Sequence, residues 1–193
     1  VTDPAMKLRR SGIALEIVTL GWNVVGVVLL AILAYQSASV ALLGFGLDSL
    51  IEIGASTVVI WELTDTSPSR QRVALRLIGW AFILLALYLL VQAVMALVLG
   101  HHATPLIGGI TWTGATALAM FTLAWGKWVV GKRLDNPALL TEGRVTLIDG
   151  ILATSVLLGI LLNYTFGWWW ADPVAGLIIV FYAAREAIHI FRA

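Results

Sequence analysis

Ser39-Val-Ala-Leu-Leu-Gly-Phe-Gly-Leu-Asp48-Ser-Leu-Ile-Glu52-Ile-Gly-Ala-Ser-Thr-Val-Val-Ile-Trp61 is long and apolar enough to cross a bilayer, yet it carries two carboxylates one helical turn apart. A membrane helix needs about 20 such residues, and side chains at i and i+4 share one helix face. Nothing in hydrocarbon hydrates a carboxylate; insertion scales place such a charge at about 2.5–3.5 kcal/mol at the helix centre. A third acid, Asp149, interrupts another apolar stretch about a hundred residues later. Acids retained at that cost point to a use, and holding a cation fits best.

The rest of the chain agrees with a membrane setting. Of its 193 residues 60 % are hydrophobic and only 12 % charged, with a mean hydropathy of +0.95. Soluble domains carry about 25 % charged residues, so this is an integral membrane protein, expected in the cell (plasma or inner) membrane. There are no cysteines, which excludes disulfides, zinc–thiolate sites and thiol catalysis. No nucleophile–base pair, metalloprotease motif or phosphate loop appears, so an enzyme is not expected. The basic residues sit at helix ends, and nothing in the net charge of +1 suggests nucleic acid.

Six stretches qualify as spans: Gly12–Ala34, Ser39–Trp61, Val73–Leu99, Leu106–Val130, Arg144–Tyr164 and Trp169–Phe191. An all-α, six-helix bundle follows, with residues 1–11 as a short N-terminal segment and 12–193 as one transmembrane domain. Val1 to Ala5, ahead of Met6, read as expression-tag residue and are set aside. All twelve Lys and Arg fall on one side of this arrangement. They are Lys7, Arg9 and Arg10; Arg70, Arg72 and Arg76; Lys127, Lys132, Arg133 and Arg144; Arg185 and Arg192. The positive-inside rule then places both termini in the cytoplasm.

This topology sets depths. At 1.5 Å per residue, Asp48 lies about 14 Å and Glu52 about 20 Å from the outer end of span two, and Asp149 about 20 Å from the outer end of span five. The three acids can therefore form one mid-membrane site. Together they are unstable without a cation or protons, and because metal ligands must be deprotonated, binding a divalent ion releases protons. That coupling is the physical basis of metal/proton antiport. The alternative is that the acids are neutral and hydrogen-bonded between helices.

At these residues the chain resembles the membrane domain of the cation diffusion facilitator (cation efflux) family of metal/proton antiporters. Ser39 to Glu52 resembles its second-helix pattern, Asp149-Gly-Ile-Leu-Ala-Thr-Ser-Val-Leu-Leu-Gly159 the acidic ligand of its fifth helix, and Trp170-Ala-Asp172-Pro173-Val-Ala-Gly-Leu the start of its sixth. The resemblance implies metal ligands at Asp48, Glu52 and Asp149, a divalent metal ion as transported substrate, protons as counter-ion, and a homodimer. There are two departures. Zinc-transporting members carry a further ligand four residues before the fifth-helix acid, where this chain has Val145. An all-oxygen set suits Mn²⁺, Mg²⁺ or Ca²⁺ better than tetrahedral Zn²⁺, and the sequence distinguishes none of Zn, Mn, Fe, Mg and Ca. Second, the chain ends at Ala193, directly after span six, so the expected dimer is held by membrane helices without the family's soluble C-terminal domain.

Other polar residues have plainer readings. Asn23 lies near the midplane; it either completes a metal shell with water or a backbone carbonyl, or hydrogen-bonds between helices. Gln92 has that second reading. Glu16 is expected as a snorkelled or ion-paired interfacial acid near Arg9 and Arg10, and Glu142 and Arg144 as interfacial charges that pair or gate. Asp172, ahead of Pro173, is expected to cap its own helix. Trp168-Trp169-Trp170 reads as an interfacial aromatic anchor, and His101-His102 as loop polarity. The glycines imply close helix packing, with Gly150 beside Asp149 leaving room for an ion. Two rival functions share these acids: a proton or cation channel, and a non-transporting membrane metal-binding partner.

Overall fold

The computed structural model describes residues 4–64, 68–100 and 102–192. They form six helices: α1 (Pro4–Ser37), α2 (Val40–Thr64), α3 (Pro68–Leu99), α4 (Ile107–Leu134), α5 (Pro137–Phe166) and α6 (Ala171–Arg192). Each is long and apolar enough to cross a membrane. In hydrocarbon a backbone must satisfy its own hydrogen bonds, which is why every span is helical. Six spans return the chain to the side on which it began.

Four of the six spans lie within about a turn and a half of their expected limits. The others, α1 and α5, start about two turns earlier than expected, α5 at Pro137 rather than Arg144. The reason for α5 is local chemistry. Asn136 caps the helix, its side chain accepting a 2.7 Å bond from the Leu139 amide, and Pro137 occupies the first helical position, where no amide hydrogen is needed. Asp135, in the left-handed region at φ 49°, ends α4 just before it. The result is a short corner that folds α4 and α5 into an antiparallel hairpin.

The helices associate as α1 with α2, α3 with α6 and α4 with α5, and α2 also packs against α3, α5 and α6. Lipid-facing positions such as Leu84, Val98, Leu118 and Trp125 are exposed, while Leu30, Phe45, Phe82, Leu89, Leu152 and Ile179 fill the interior. Without a hydrophobic drive between spans, close contact depends on small residues. Gly143 shows this: a Cβ there would meet the Lys127 Cβ at 3.2 Å. Gly150 has the same duty. A Cβ would meet the Phe121 ring at 3.0 Å and the Met120 Cβ at 3.4 Å, so the space beside Asp149 is taken by α4 rather than left for an ion.

At the end of the bundle opposite the termini, Asp172 is buried in the first turn of α6. It caps a neighbouring helix: Ser39 Oγ donates to Oδ1 at 2.5 Å, and the Ala41 amide at the start of α2 donates to Oδ2 at 3.2 Å. Asp172→Ala should therefore cost about 1–2 kcal/mol, seen as a lower Tm of the detergent-solubilised protein. Asp172→Asn should cost less, because the amide oxygen still accepts one bond. Beside this cap, His102 stacks on Trp169 at 4.9 Å between centroids, and half-exposed Trp168 and Trp170 stack at 5.2 Å. The rings sit where an interfacial anchor belongs. His101 lies outside the described residues.

Candidate metal-transport site

The α2–α5 contact carries the site, and its register can be read from hydrogen bonds. Ser56 Oγ on α2 donates to Glu142 Oε1 on α5 at 3.1 Å. One turn along, Thr146 Oγ1 on α5 donates to Glu52 Oε1 on α2 at 2.6 Å. The numbers fall by four on α2 and rise by four on α5, so the helices are antiparallel and in step. The next turn brings Asp48 level with Asp149. Those two carboxyl groups are neighbours, and Asp149 also faces the charge of Glu52.

All three acids are buried, with exposures of 4 %, 1 % and 1 % for Asp48, Glu52 and Asp149. Neither oxygen of Asp149 receives a hydrogen bond, nor does Glu52 Oε2. Buried carboxylate oxygens nearly always have partners; here three oxygens on facing helices do not. Among the described residues no three His, Asp or Glu side chains converge tightly enough to hold one ion as they stand. Glu52, turned toward Thr146, explains that: half of its carboxylate is engaged one turn away from the Asp48–Asp149 pair.

Asn23 belongs to the same level. On the α1–α2 contact, Gly12 meets Leu63, Gly26 approaches Ser49 and Gly46 meets Leu30. This antiparallel register sets Asn23 beside the turn of Glu52. Its amide Nδ2 donates to Thr19 O within α1 at 3.1 Å, an intrahelical use in place of the interhelical one. Gln92 likewise donates within its own helix, to Tyr88 Oη at 3.1 Å. Val145 is buried in the apolar core and contributes no ligand.

One turn from the acids, toward the termini, lies a constellation that the sequence reading distributed to the membrane surface. Lys127 of α4 is fully buried. Its Nζ donates to Glu16 Oε2 of α1 at 3.1 Å, to Glu142 Oε2 of α5, and to Thr146 Oγ1 at 2.9 Å. Glu16 and Glu142 are fully buried too. Glu16 is therefore no interfacial acid; its partner is Lys127, three helices further along the chain than the arginines beside it. Lys127 does not mark a membrane boundary, and Glu142 does not pair with Arg144, whose Nη1 lies 2.6 Å from His189 Nε2. A usable signal was present. Lys127 falls inside the expected fourth span and Glu16 inside the first, and opposite charges inside two spans call for pairing. Thr146, placed one turn from Glu142, joins this network to Glu52.

Comparison with known proteins settles which family this geometry belongs to. The cation efflux transmembrane domain matches residues 72–193. The chain belongs to the cation efflux family. The matched stretch includes Lys127, Glu142, Thr146 and Asp149, whereas Glu16, Asp48 and Glu52 lie ahead of it. The chain is also similar to Transmembrane protein 163 of Xenopus laevis, with 25 % identity over 156 residues covering 77 % of this chain and 54 % of that protein. Another relative is the Uncharacterized transporter sll1263 of Synechocystis, 26 % identical over 167 residues, covering 81 % of this chain and 54 % of the relative. The chain thus spans about half the length of these curated relatives. It is a multi-pass membrane protein of a family that transports metal cations.

Proposed function

We propose that the protein exchanges a divalent metal cation for protons across the cell (plasma or inner) membrane, exporting the metal from the cytoplasm through Asp48, Glu52 and Asp149. The observation that carries this reading is the α2–α5 register, which sets Asp48 level with an Asp149 that has no hydrogen-bond donor to either oxygen. A structural carboxylic acid would use those oxygens; a ligand keeps them free. Protons occupy the pair when the metal is absent and leave when it binds. Glu52 joins on release from Thr146, and Asn23 stands beside its turn to complete the shell. Both termini then face the cytoplasm, in line with the basic residues at that end. Oxygen ligands without a nitrogen at Val145 favour a hard ion such as Mn²⁺, Mg²⁺ or Ca²⁺ over Zn²⁺. A homodimer formed through membrane helices completes the proposal, with the two access states arising from rocking of helix groups about the site.

The test is uptake of Mn²⁺, Fe²⁺, Zn²⁺, Mg²⁺ and Ca²⁺ into proteoliposomes under a pH gradient, for wild type and Asp48→Ala. Saturable uptake that moves protons in the opposite direction and disappears in Asp48→Ala is the expected result. Flux with no metal dependence in any condition defeats the reading, and large currents without saturation would identify a channel.

A further inference from the structure

Lys127 Nζ is surrounded as a cation is surrounded in a binding site. Three oxygens contact it, from Glu16, Glu142 and Thr146, and they come from two different helices, neither of them its own. The Thr146 hydroxyl spends its proton on Glu52 Oε1, so its lone pairs are left for the ammonium. Glu142 is braced from the far side by Ser56. The surroundings offer more negative charge than one ammonium neutralises, since two carboxylates face one lysine. Glu16 Oε1, fully buried, has no hydrogen-bond partner at all, which leaves one oxygen of the seat with nothing to hold.

We infer that Glu16, Glu142 and Thr146 form a second cation seat, one to two turns closer to the termini than the Asp48–Asp149 pair, and that Lys127 is a tethered cation occupying it. Hard divalent ions take oxygen ligands at about 2.0–2.6 Å with carboxylates binding through one or both oxygens, and the idle Glu16 oxygen supplies the second. The inference rests on the metal-transport reading above. An ion travelling between the terminal side and Asp149 has to pass this level, and the Thr146 hydroxyl connects the two by touching both Lys127 and Glu52. While the ammonium holds the seat, that approach is closed. When a divalent ion displaces it, the ion sits one hydroxyl away from Glu52. Lys127 is therefore a selectivity element: a monovalent ion offers the two carboxylates no more charge than the ammonium it would displace, whereas a divalent ion does.

The test separates the seat from the mid-membrane acids by working in an Asp48→Ala/Asp149→Asn background. Thermal unfolding of the purified, detergent-solubilised full chain is followed in EDTA and in rising Mn²⁺ or Ca²⁺, because an ion that binds only the folded state raises Tm with its concentration. In this background with Lys127 present, the ion has to displace the ammonium, so Tm should rise only at far higher ion concentrations than in the variant that lacks the lysine. With Lys127→Met added, Tm in EDTA should fall and then recover by about 5 °C or more as the ion is added. Adding Glu16→Gln should remove that recovery. If Lys127→Met yields folded protein only when the ion is present during solubilisation, the seat is equally supported. No response to either ion, or no folded protein even with the ions, overturns it. Loss of uptake in Asp48→Ala together with an unresponsive Lys127→Met would sink the seat alone. A responsive Lys127→Met with metal-independent flux would sink the transport reading and the route through the seat.

Discussion

Asp149→Asn is expected to abolish metal uptake while leaving the bundle folded. The substitution keeps the shape of the side chain and removes only its charge and one acceptor oxygen. No donor from the surrounding helices reaches either oxygen of Asp149, and an amide can still meet a protonated Asp48 carboxyl, so little that is structural is lost, while the amide removes a like charge from beside Asp48 and Glu52. Its effect on a metal should be severe. Even groups that only support metal ligands cost about 10–100-fold in affinity or activity when changed, so loss of a ligand should cost about 100-fold or more. Uptake into proteoliposomes and Tm, measured on the same preparation, check both halves. Unchanged uptake would remove Asp149 from the site. A marked fall in Tm would instead assign it a structural hydrogen bond.

Lys127→Met is expected to be the most destabilising single change at a charged position. Removing one partner of a buried ion pair costs about 3–5 kcal/mol because the remaining charge is left uncompensated, and here two carboxylates are left. Exposed pairs contribute about 0–1 kcal/mol, so a lysine at the membrane surface, as the sequence reading had it, would tolerate the change. Replacing Lys127, Glu16 and Glu142 together by Met, Gln and Gln should recover most of the loss, because no unpaired charge stays in the interior. The free energies should be strongly non-additive, the triple variant being more stable than the sum of the single ones implies. Equilibrium unfolding in mixed micelles, free of divalent ions, measures this directly. Additive losses would mean that the three side chains do not act as a unit.

Much of the architecture was legible because membrane physics leaves few choices. Apolar length gave six spans, and backbone satisfaction made them helices. The α5 boundary was missed because Asn136-Pro137 was read as a break when it is a cap and a first turn. Asp48, Glu52 and Asp149 were legible because acids in hydrocarbon stand out against Leu, Ile and Val. Glu16, Lys127 and Glu142 are no less costly there, yet they lie within a few turns of basic residues. Snorkelling then gave each an adequate explanation taken one at a time. Asp172 was read as a cap and is one, for α2 across the bundle.

By itself the sequence determined that this is a six-span helical membrane protein with carboxylates deep inside it, since the cost of burying charge and backbone is set by residue type and span length. Which of those charges meet was decided only by the tertiary structure. Spans that are apolar all round carry almost no signal for which face turns inward. The α2–α5 register, the approach of α4 allowed by Gly143 and the convergence of α1, α4 and α5 on the Lys127 ammonium arise from packing between helices, and no single span encodes them.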